Sequence, residues 1–109
     1  MSNDVMSDVV SYEVVGRTAV VTIRRADRMN ALDEAVIQGL RSAWRRLEAG
    51  DEFSAILCAE GDRAFSVGAD IKSPPAEMWQ GVPGIGVQLS KPVIAAVQGY
   101  CIGGAYILV

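Results

Sequence analysis

Two short apolar segments constrain the fold of this chain more than any other feature of its sequence. Residues 54–59 and 92–97 are almost wholly apolar and have the length of a strand that is buried on both faces. A glycine-bearing turn follows each segment, with Gly68 after the first and Gly103 and Gly104 after the second. This order predicts parallel β/α units whose ligand-binding groups collect at the carboxyl ends of the strands.

The segments before the first apolar run support this α/β class. Residues 12–15 and 18–23 are rich in β-forming residues and are joined by Gly16 and Arg17, which predicts a hairpin. The apolar residues that follow recur at helical spacing: Leu32, Val36, Ile37, Leu40, Ala43, Trp44 and Leu47. Acidic residues at positions 33 and 34 and a glycine at position 50 predict where this helix begins and ends.

Composition excludes several classes of function. Thirteen acidic and ten basic side chains leave a net charge of −3, which disfavours non-specific binding to nucleic acid. The chain has no histidine, so nucleophile–histidine pairs and most zinc or copper sites are excluded, and no metal site is predicted. The two cysteines, Cys58 and Cys101, lie in apolar runs and are expected to be buried and reduced.

The ends of the chain carry further expectations. Residues 1–10 are predicted to be a flexible tail, and residues 11–109 the N-terminal portion of an incomplete domain. The start has no signal-peptide pattern and no apolar run reaches membrane-spanning length, so a cytoplasmic protein without membrane contact is expected. Residues 105–109 are apolar and lack a cap or closing turn, which predicts that the chain is a fragment.

The loops after the two apolar segments are candidates for chemistry. Residues 64–71 include small residues where a backbone can approach a ligand closely, and Gly103 and Gly104 follow the second strand in the same manner. Two adjacent strand ends that each offer one N–H group form an oxyanion hole, which stabilises developing negative charge on an oxygen atom. Each loop by itself is equally compatible with an ordinary tight turn.

Three sequence blocks together resemble the enoyl-CoA hydratase/isomerase (crotonase) superfamily. They are NAL at residues 30–32, AFSVGADIK at residues 64–72 and KPVIAAVQGYCIGG at residues 91–104, in the order that the family has. The resemblance implies a crotonase-like spiral of ββα units, present here only as its N-terminal part. It also implies an enzyme of fatty acid metabolism that binds coenzyme A thioesters and stabilises their enolates.

The resemblance assigns roles to individual residues. The oxyanion-hole N–H groups fall on Ala69 and Gly104, and the path of the coenzyme A moiety on Arg28, Ala31, Ala69, Asp70, Ile71 and Lys72. Met78 and Trp79 lie in a proline- and glycine-rich segment, residues 73–86, that borders the acyl pocket in the family, and they are candidates to contact the acyl group. Coenzyme A enters as part of the substrate, no separate cofactor is implied, and the full-length protein is expected to form homotrimers or hexamers.

The reaction is less constrained than the substrate class. Hydratases of the family carry a glutamate three positions after the second oxyanion-hole residue, where this chain has Ile107. Single-carboxylate, isomerase-like chemistry is therefore favoured over two-glutamate hydration, and the other catalytic carboxylate of the family falls beyond position 109. Asp70 is expected to be structural rather than a base, Glu77 is a minor candidate for a site carboxylate, and the charges of Arg28 and Lys72 are equally compatible with a solvated surface.

Of two alternatives from other classes, one remains. The chain is alternatively a non-catalytic acyl-CoA-binding or oligomerising fragment that has the hole and lacks the base. A dinucleotide-binding domain requires Gly-x-Gly-x-x-Gly directly after the first strand, and no such run is present.

Overall fold

A computed structural model describes the backbone of residues 2–109 and the side chains of residues 7–109. A five-stranded sheet has the order β1-β2-β3-β4-β6, and a separate two-stranded sheet pairs β5 with β7. The strands are β1 (Ser2–Ser7), β2 (Val10–Val15), β3 (Thr18–Ile23), β4 (Ser54–Ala59), β5 (Ala64–Ser66), β6 (Val93–Ala95) and β7 (Tyr100–Cys101). The helices are α1 (Glu34–Ala49) and α2 (Gly104–Leu108), and short 3-10 turns cover Ala26–Arg28 and Met78–Gly81.

The predicted hairpin and helix are confirmed. Strands β2 and β3 are antiparallel with Val15 opposite Thr18, and Gly16 in the turn has a φ of 64°. Helix α1 begins after Asp33, whose side chain accepts a hydrogen bond from the Val36 N–H at 3.0 Å, and Gly50 ends it. The apolar stripe of α1 packs on the sheet, with Leu40, Trp44 and Leu47 fully buried.

The predicted parallel arrangement is also confirmed. Strand β4 pairs with β3 on one side and with β6 on the other, both in parallel. The second sheet is parallel as well, with Ala64 opposite Tyr100 and Ser66 opposite Cys101. The carboxyl ends of β5 and β7 therefore lie side by side, and the loops that follow them are neighbours.

The structure differs from the sequence prediction at the N-terminus and at β6. Residue 1 lies outside the described residues, but Ser2–Ser7 is a strand in place of the predicted flexible tail, because its backbone pairs antiparallel with β2. Strand β6 is not buried on both faces, since the side chain of Ile94 is 63% exposed. The other predicted two-faced strand, β4, buries Ala55 and Leu57 fully and its remaining residues only in part.

Two further expectations concern the cysteines and membrane contact. Cys58 and Cys101 are free thiols, as predicted, and each is only partly buried. Burial raises the pKa of the Cys101 thiol above its ordinary value. None of the helices within residues 2–109 has the length and apolarity to cross a bilayer.

Candidate functional site

A buried asparagine holds together the segments that form the site. The side chain of Asn30 accepts a hydrogen bond from the Arg25 N–H and donates to the carbonyls of Glu60 and Ala64, each at 2.9 Å. Its own carbonyl accepts from the Ser66 hydroxyl at 2.7 Å. Asn30 has a φ of 56°, in the left-handed region that asparagine tolerates better than most residues. Asn30 therefore connects the turn before α1 to Glu60 and Ala64, which lie at the two ends of the β4–β5 connection.

The loop after β5 and the turn after β7 touch at Gly68. A methyl group added at the Gly68 α-carbon would lie 2.9 Å from the Ile102 carbonyl oxygen and 3.2 Å from the Gly104 nitrogen. Gly68 also has a φ of 93°, which side-chain-bearing residues rarely adopt. Only glycine allows the two strand ends to approach this closely, as the small residues of both loops predicted.

The Ala69 N–H is directed away from the nearest backbone. Leu32 pairs with Ala69 in a parallel bridge, with its N–H donating to the Gly68 carbonyl at 2.8 Å and its carbonyl accepting from the Asp70 N–H at 2.9 Å. In a parallel bridge, the residue between the two bonded neighbours points its own N–H to the opposite side. Within residues 2–109 the Ala69 N–H donates to no backbone or side-chain atom, and Ala69 is exposed.

The Gly104 N–H is free for a different reason. Gly104 is the first residue of α2, and the first N–H groups of a helix have no partner within the helix. The N–H groups of Ala105 and Tyr106 donate to the carbonyls of Ile102 and Gly103, but that of Gly104 has no acceptor in the described part of the chain. Ala69 and Gly104 thus each offer an unpaired donor on adjoining loops.

Six of the predicted substrate-binding residues line one open groove beside these donors. The groove has a volume of about 390 Å³, and its lining comprises Arg28, Ala31, Val67, Ala69, Asp70, Ile71, Lys72 and Ile102. The side chain of Ile71 in this lining is 96% exposed. Arg28 and Lys72 form no ion pair with any described residue.

Asp70 is engaged in a structural ion pair. One of its carboxylate oxygens lies 2.8 Å from Arg25 Nη1, and the other accepts the N–H groups of Lys72 and Ser73. The Arg25 guanidinium, followed by the two N–H groups, holds the pKa of the Asp70 carboxyl below its ordinary value in spite of partial desolvation. A carboxylate held in this way is a weak base, in line with the structural role expected from the sequence.

The Asp70 ion pair leads to a pH prediction. A carboxyl whose pKa is lowered by folding stabilises the protein above its unfolded pKa of about 3.9, and this contribution disappears as the pH falls below that value. The Asp70→Asn variant lacks the titrating group. We therefore expect the difference in free energy of unfolding between wild type and Asp70→Asn to shrink between about pH 6 and about pH 3. Urea unfolding at both pH values measures it, and a constant difference would contradict the role of this ion pair.

Met78 and Trp79, the two predicted acyl contacts, occupy different places. Met78 is partly buried and packs beside Gly104, where an added methyl group would overlap its sulfur atom. Trp79 is 50% exposed, lies outside the groove lining, and donates its indole N–H to Glu77 at 3.1 Å. Glu77 is exposed and its carboxylate is occupied by this hydrogen bond, which weakens it as a candidate for a site carboxylate.

The position three residues after Gly104 carries no carboxylate. Ile107 lies on α2 with 63% of its side chain exposed. It lines a second cavity of about 380 Å³, together with Val93 and Ala95 of β6 and residues of the 82–91 segment. The groove and this second cavity share no lining residue.

Sequence reasoning missed two residues that build the site. Arg25 donates to the Ala31 carbonyl at 2.9 Å and lies 3.5 Å from the Asp33 carboxylate, besides pairing with Asp70. Asn30 was noted only as part of a family block. Nothing in the sequence distinguishes Arg25 from its charged neighbours Arg24 and Arg28. Arg25 differs from them by its ion pair with Asp70, which is distant along the chain.

Comparison with known proteins identifies relatives of this chain. The sequence model described as enoyl-CoA hydratase/isomerase matches residues 15–109. The (E)-benzylidenesuccinyl-CoA hydratase of Thauera aromatica is 33% identical over 105 residues, which cover 87% of this chain and 41% of that protein. The solved structure of an enoyl-CoA hydratase from Mycobacterium tuberculosis superposes with a TM-score of 0.80 at 32% identity, covering 92% of this chain and 42% of that one.

A third relative carries a different reaction name. The structure of a carnitinyl-CoA dehydratase from Mycobacterium avium has a TM-score of 0.79 at 31% identity, with 92% of this chain and 41% of that chain covered. The chain therefore spans about two fifths of the length of these relatives.

Proposed function

The chain belongs to the enoyl-CoA hydratase/isomerase family, and on that premise we propose that it binds an acyl-coenzyme A thioester and stabilises the enolate of its acyl group. The observation that carries this proposal is the pair of unpaired N–H groups, those of Ala69 and Gly104, on loops that meet at Gly68. Two such donors aimed at one thioester oxygen favour its negatively charged form. This acidifies the α-carbon and makes a conjugated β-carbon electrophilic.

The groove beside Ala69 supports the same substrate class. In this proposal the coenzyme A moiety follows the groove, with the unpaired charges of Arg28 and Lys72 near its phosphate groups. The exposed side chain of Ile71 offers an apolar surface at the groove for the adenine or the pantetheine arm. Asp70 positions this loop through Arg25 rather than taking a proton.

For the reaction, we favour isomerase-like proton transfer with a single carboxylate over hydration. Ile107 cannot hold or deprotonate a water molecule, whereas the usual hydration mechanism needs two carboxylates. The hydratase and dehydratase names of the relatives describe those proteins and leave the reaction of this chain open. Cytoplasmic location and assembly into homotrimers or hexamers stay predictions.

The reaction is tested with a panel of substrates in deuterated water. Butyryl-CoA reports α-proton exchange, 3-hexenoyl-CoA reports double-bond migration, and crotonyl-CoA reports hydration, all followed by NMR and mass spectrometry. In the protein with the catalytic carboxylate that the resemblance places beyond position 109, we expect exchange and migration to exceed hydration at least about 10-fold, because enolate stabilisation needs only the hole and one base. Rapid hydration of crotonyl-CoA would overturn the isomerase-like preference.

The alternative function is that of a non-catalytic acyl-CoA-binding or oligomerising fragment. The observation that favours it is the ion pair between Arg25 and Asp70, because this pair engages the carboxylate that lines the groove. Binding of butyryl-CoA more tightly than coenzyme A itself, without exchange at the α-carbon, would support binding without catalysis. Equal binding of both compounds would instead contradict the oxyanion hole, because only butyryl-CoA has the thioester oxygen.

A further inference from the structure

The side chain of Met78 lies against the α-carbon of Gly104, the residue that carries one of the two proposed oxyanion-hole donors. A methyl group added at the Gly104 α-carbon would overlap the Met78 sulfur and lie 2.6 Å from its terminal methyl group. Leu32 Cδ1 lies farther from the same point, at 3.8 Å. The space that a side chain at position 104 would occupy is therefore filled by Met78, which comes from a different segment of the chain.

The segment that carries Met78 is attached to helix α1 on both sides of this residue. Before it, the Ala76 N–H donates to the Glu34 carboxylate at 3.0 Å, which lowers the pKa of that carboxyl. After it, the Gln80 side chain accepts from Gln38 at 2.7 Å, and the buried Gly81 carbonyl accepts from the Trp44 indole at 2.8 Å. The predicted loop over residues 73–86 thus contains a turn that is docked on the helix, and this docking holds Met78 in place.

The position of the groove indicates which part of a bound thioester meets Met78. The groove includes Ala69 and excludes Met78, so the coenzyme A half of the substrate leaves the hole on the Ala69 side. Under the proposed function, the acyl half would then leave on the Gly104 side, next to Met78. The atoms of Met78 nearest this position are its thioether sulfur and terminal methyl group, and the exposed Glu77 carboxylate accepts a hydrogen bond from Trp79 instead.

On the basis of the proposed function, we propose that Met78 is a specificity-determining residue that excludes bulky substituents at the α-carbon of the acyl group. An unbranched acyl group presents only hydrogens to the sulfur and its methyl group. A methyl branch at the α-carbon requires space that the thioether occupies, and the docked turn limits how far Met78 can withdraw. The selectivity is therefore steric and acts next to the carbonyl rather than at the end of the acyl chain.

The test measures how tightly wild type and three Met78 variants of the whole chain bind two acyl-CoA ligands and coenzyme A. Dissociation constants for butyryl-CoA and 2,2-dimethylbutyryl-CoA are measured by isothermal titration calorimetry for wild type, Met78→Ala, Met78→Val and Met78→Leu. We expect wild type and the volume-matched Met78→Leu control to prefer butyryl-CoA at least about 10-fold, and Met78→Ala to lose most of this preference. The preference of Met78→Val for butyryl-CoA should be intermediate. This variant replaces Met78→Ala in the test if Met78→Ala does not fold.

The outcomes separate this inference from the proposed function. Tighter binding of butyryl-CoA than of coenzyme A by wild type supports the oxyanion hole. If, in that case, wild type, Met78→Ala and Met78→Val all prefer the unbranched acyl group to the same degree, the proposed role of Met78 is overturned and the oxyanion hole stands. If butyryl-CoA and coenzyme A bind equally to wild type, both proposals fail. Loss of the preference in Met78→Leu as well as in Met78→Ala would also overturn the steric explanation.

Discussion

Replacing Gly104 with proline is expected to lower the rate of α-proton exchange in butyryl-CoA at least about 100-fold, the usual effect of removing one oxyanion-hole donor. Proline has no N–H group, and the Gly104 N–H is one of the two unpaired donors of the candidate hole. Gly104 is also the first residue of α2, a position where helices accept proline readily. The exchange rate is measured by mass spectrometry in deuterated water at saturating substrate.

The control for this prediction must account for Met78. Any β-carbon at position 104 overlaps the Met78 sulfur, so Gly104→Pro by itself combines loss of the N–H with a steric clash. Both Gly104→Pro and Gly104→Ala are therefore made with Met78→Ala, which removes the clash. Only the proline double variant lacks the donor, so a similar exchange rate in the two folded double variants would contradict the assignment of Gly104.

Replacing Asn30 with aspartate is expected to lower the free energy of unfolding by about 2 kcal/mol, because the buried Ala64 carbonyl and the partly buried Glu60 carbonyl lose their donor. The Asn30 side chain is 1% exposed and donates to Glu60, an exposed residue, and to Ala64, so most of the loss is expected from the buried hydrogen bond to Ala64. Aspartate retains the shape of asparagine and its tolerance of the left-handed backbone conformation. The effect is measured by urea unfolding at neutral pH.

A matched control for Asn30→Asp is Gln88→Glu, which makes the same change from amide to carboxylate at an exposed residue. Its expected effect is within about 0.5 kcal/mol, as for most surface substitutions. If the two variants lose similar stability, the Asn30 side chain does not hold the site segments together. A larger loss in Asn30→Asp that persists in high salt would exclude simple charge repulsion as its cause.

The elements that sequence reasoning predicted well are those with a strong local pattern. The stripe of α1 and the cap at Asp33 depend on residues within a few positions of one another, and so does the two-residue turn at Gly16. The parallel pairing of β3, β4 and β6 followed from their apolar composition and from the helix between the first two. The two glycine-bearing turns were placed directly after residues 54–59 and 92–97, whereas in the structure they follow β5 and β7, two short strands that form a sheet of their own and were not predicted.

The elements that were predicted wrongly depend on distant partners. Residues 2–7 have little apolar character, and they form a strand because β2 offers a free edge to pair with. The exposure of Ile94 could not be anticipated from its apolar neighbours, because burial depends on what else in the chain covers that face. The prolines and glycines of residues 73–86 predicted a loop. The structure has a turn there that is docked on α1 through Trp44 and Gln38.

By itself, the sequence determined the family, the order of the ββα elements and the two loops that carry Ala69 and Gly104, because each of these leaves a contiguous pattern of residue types. Only the tertiary structure decided which groups on those loops are free and which are occupied. It paired Asp70 with Arg25, left the N–H groups of Ala69 and Gly104 without acceptors among the described residues, and placed Met78 against Gly104. Hydrogen bonds and steric contacts are set by distances in space, and residues 25 and 70, or 78 and 104, are brought together only when the strands and α1 pack.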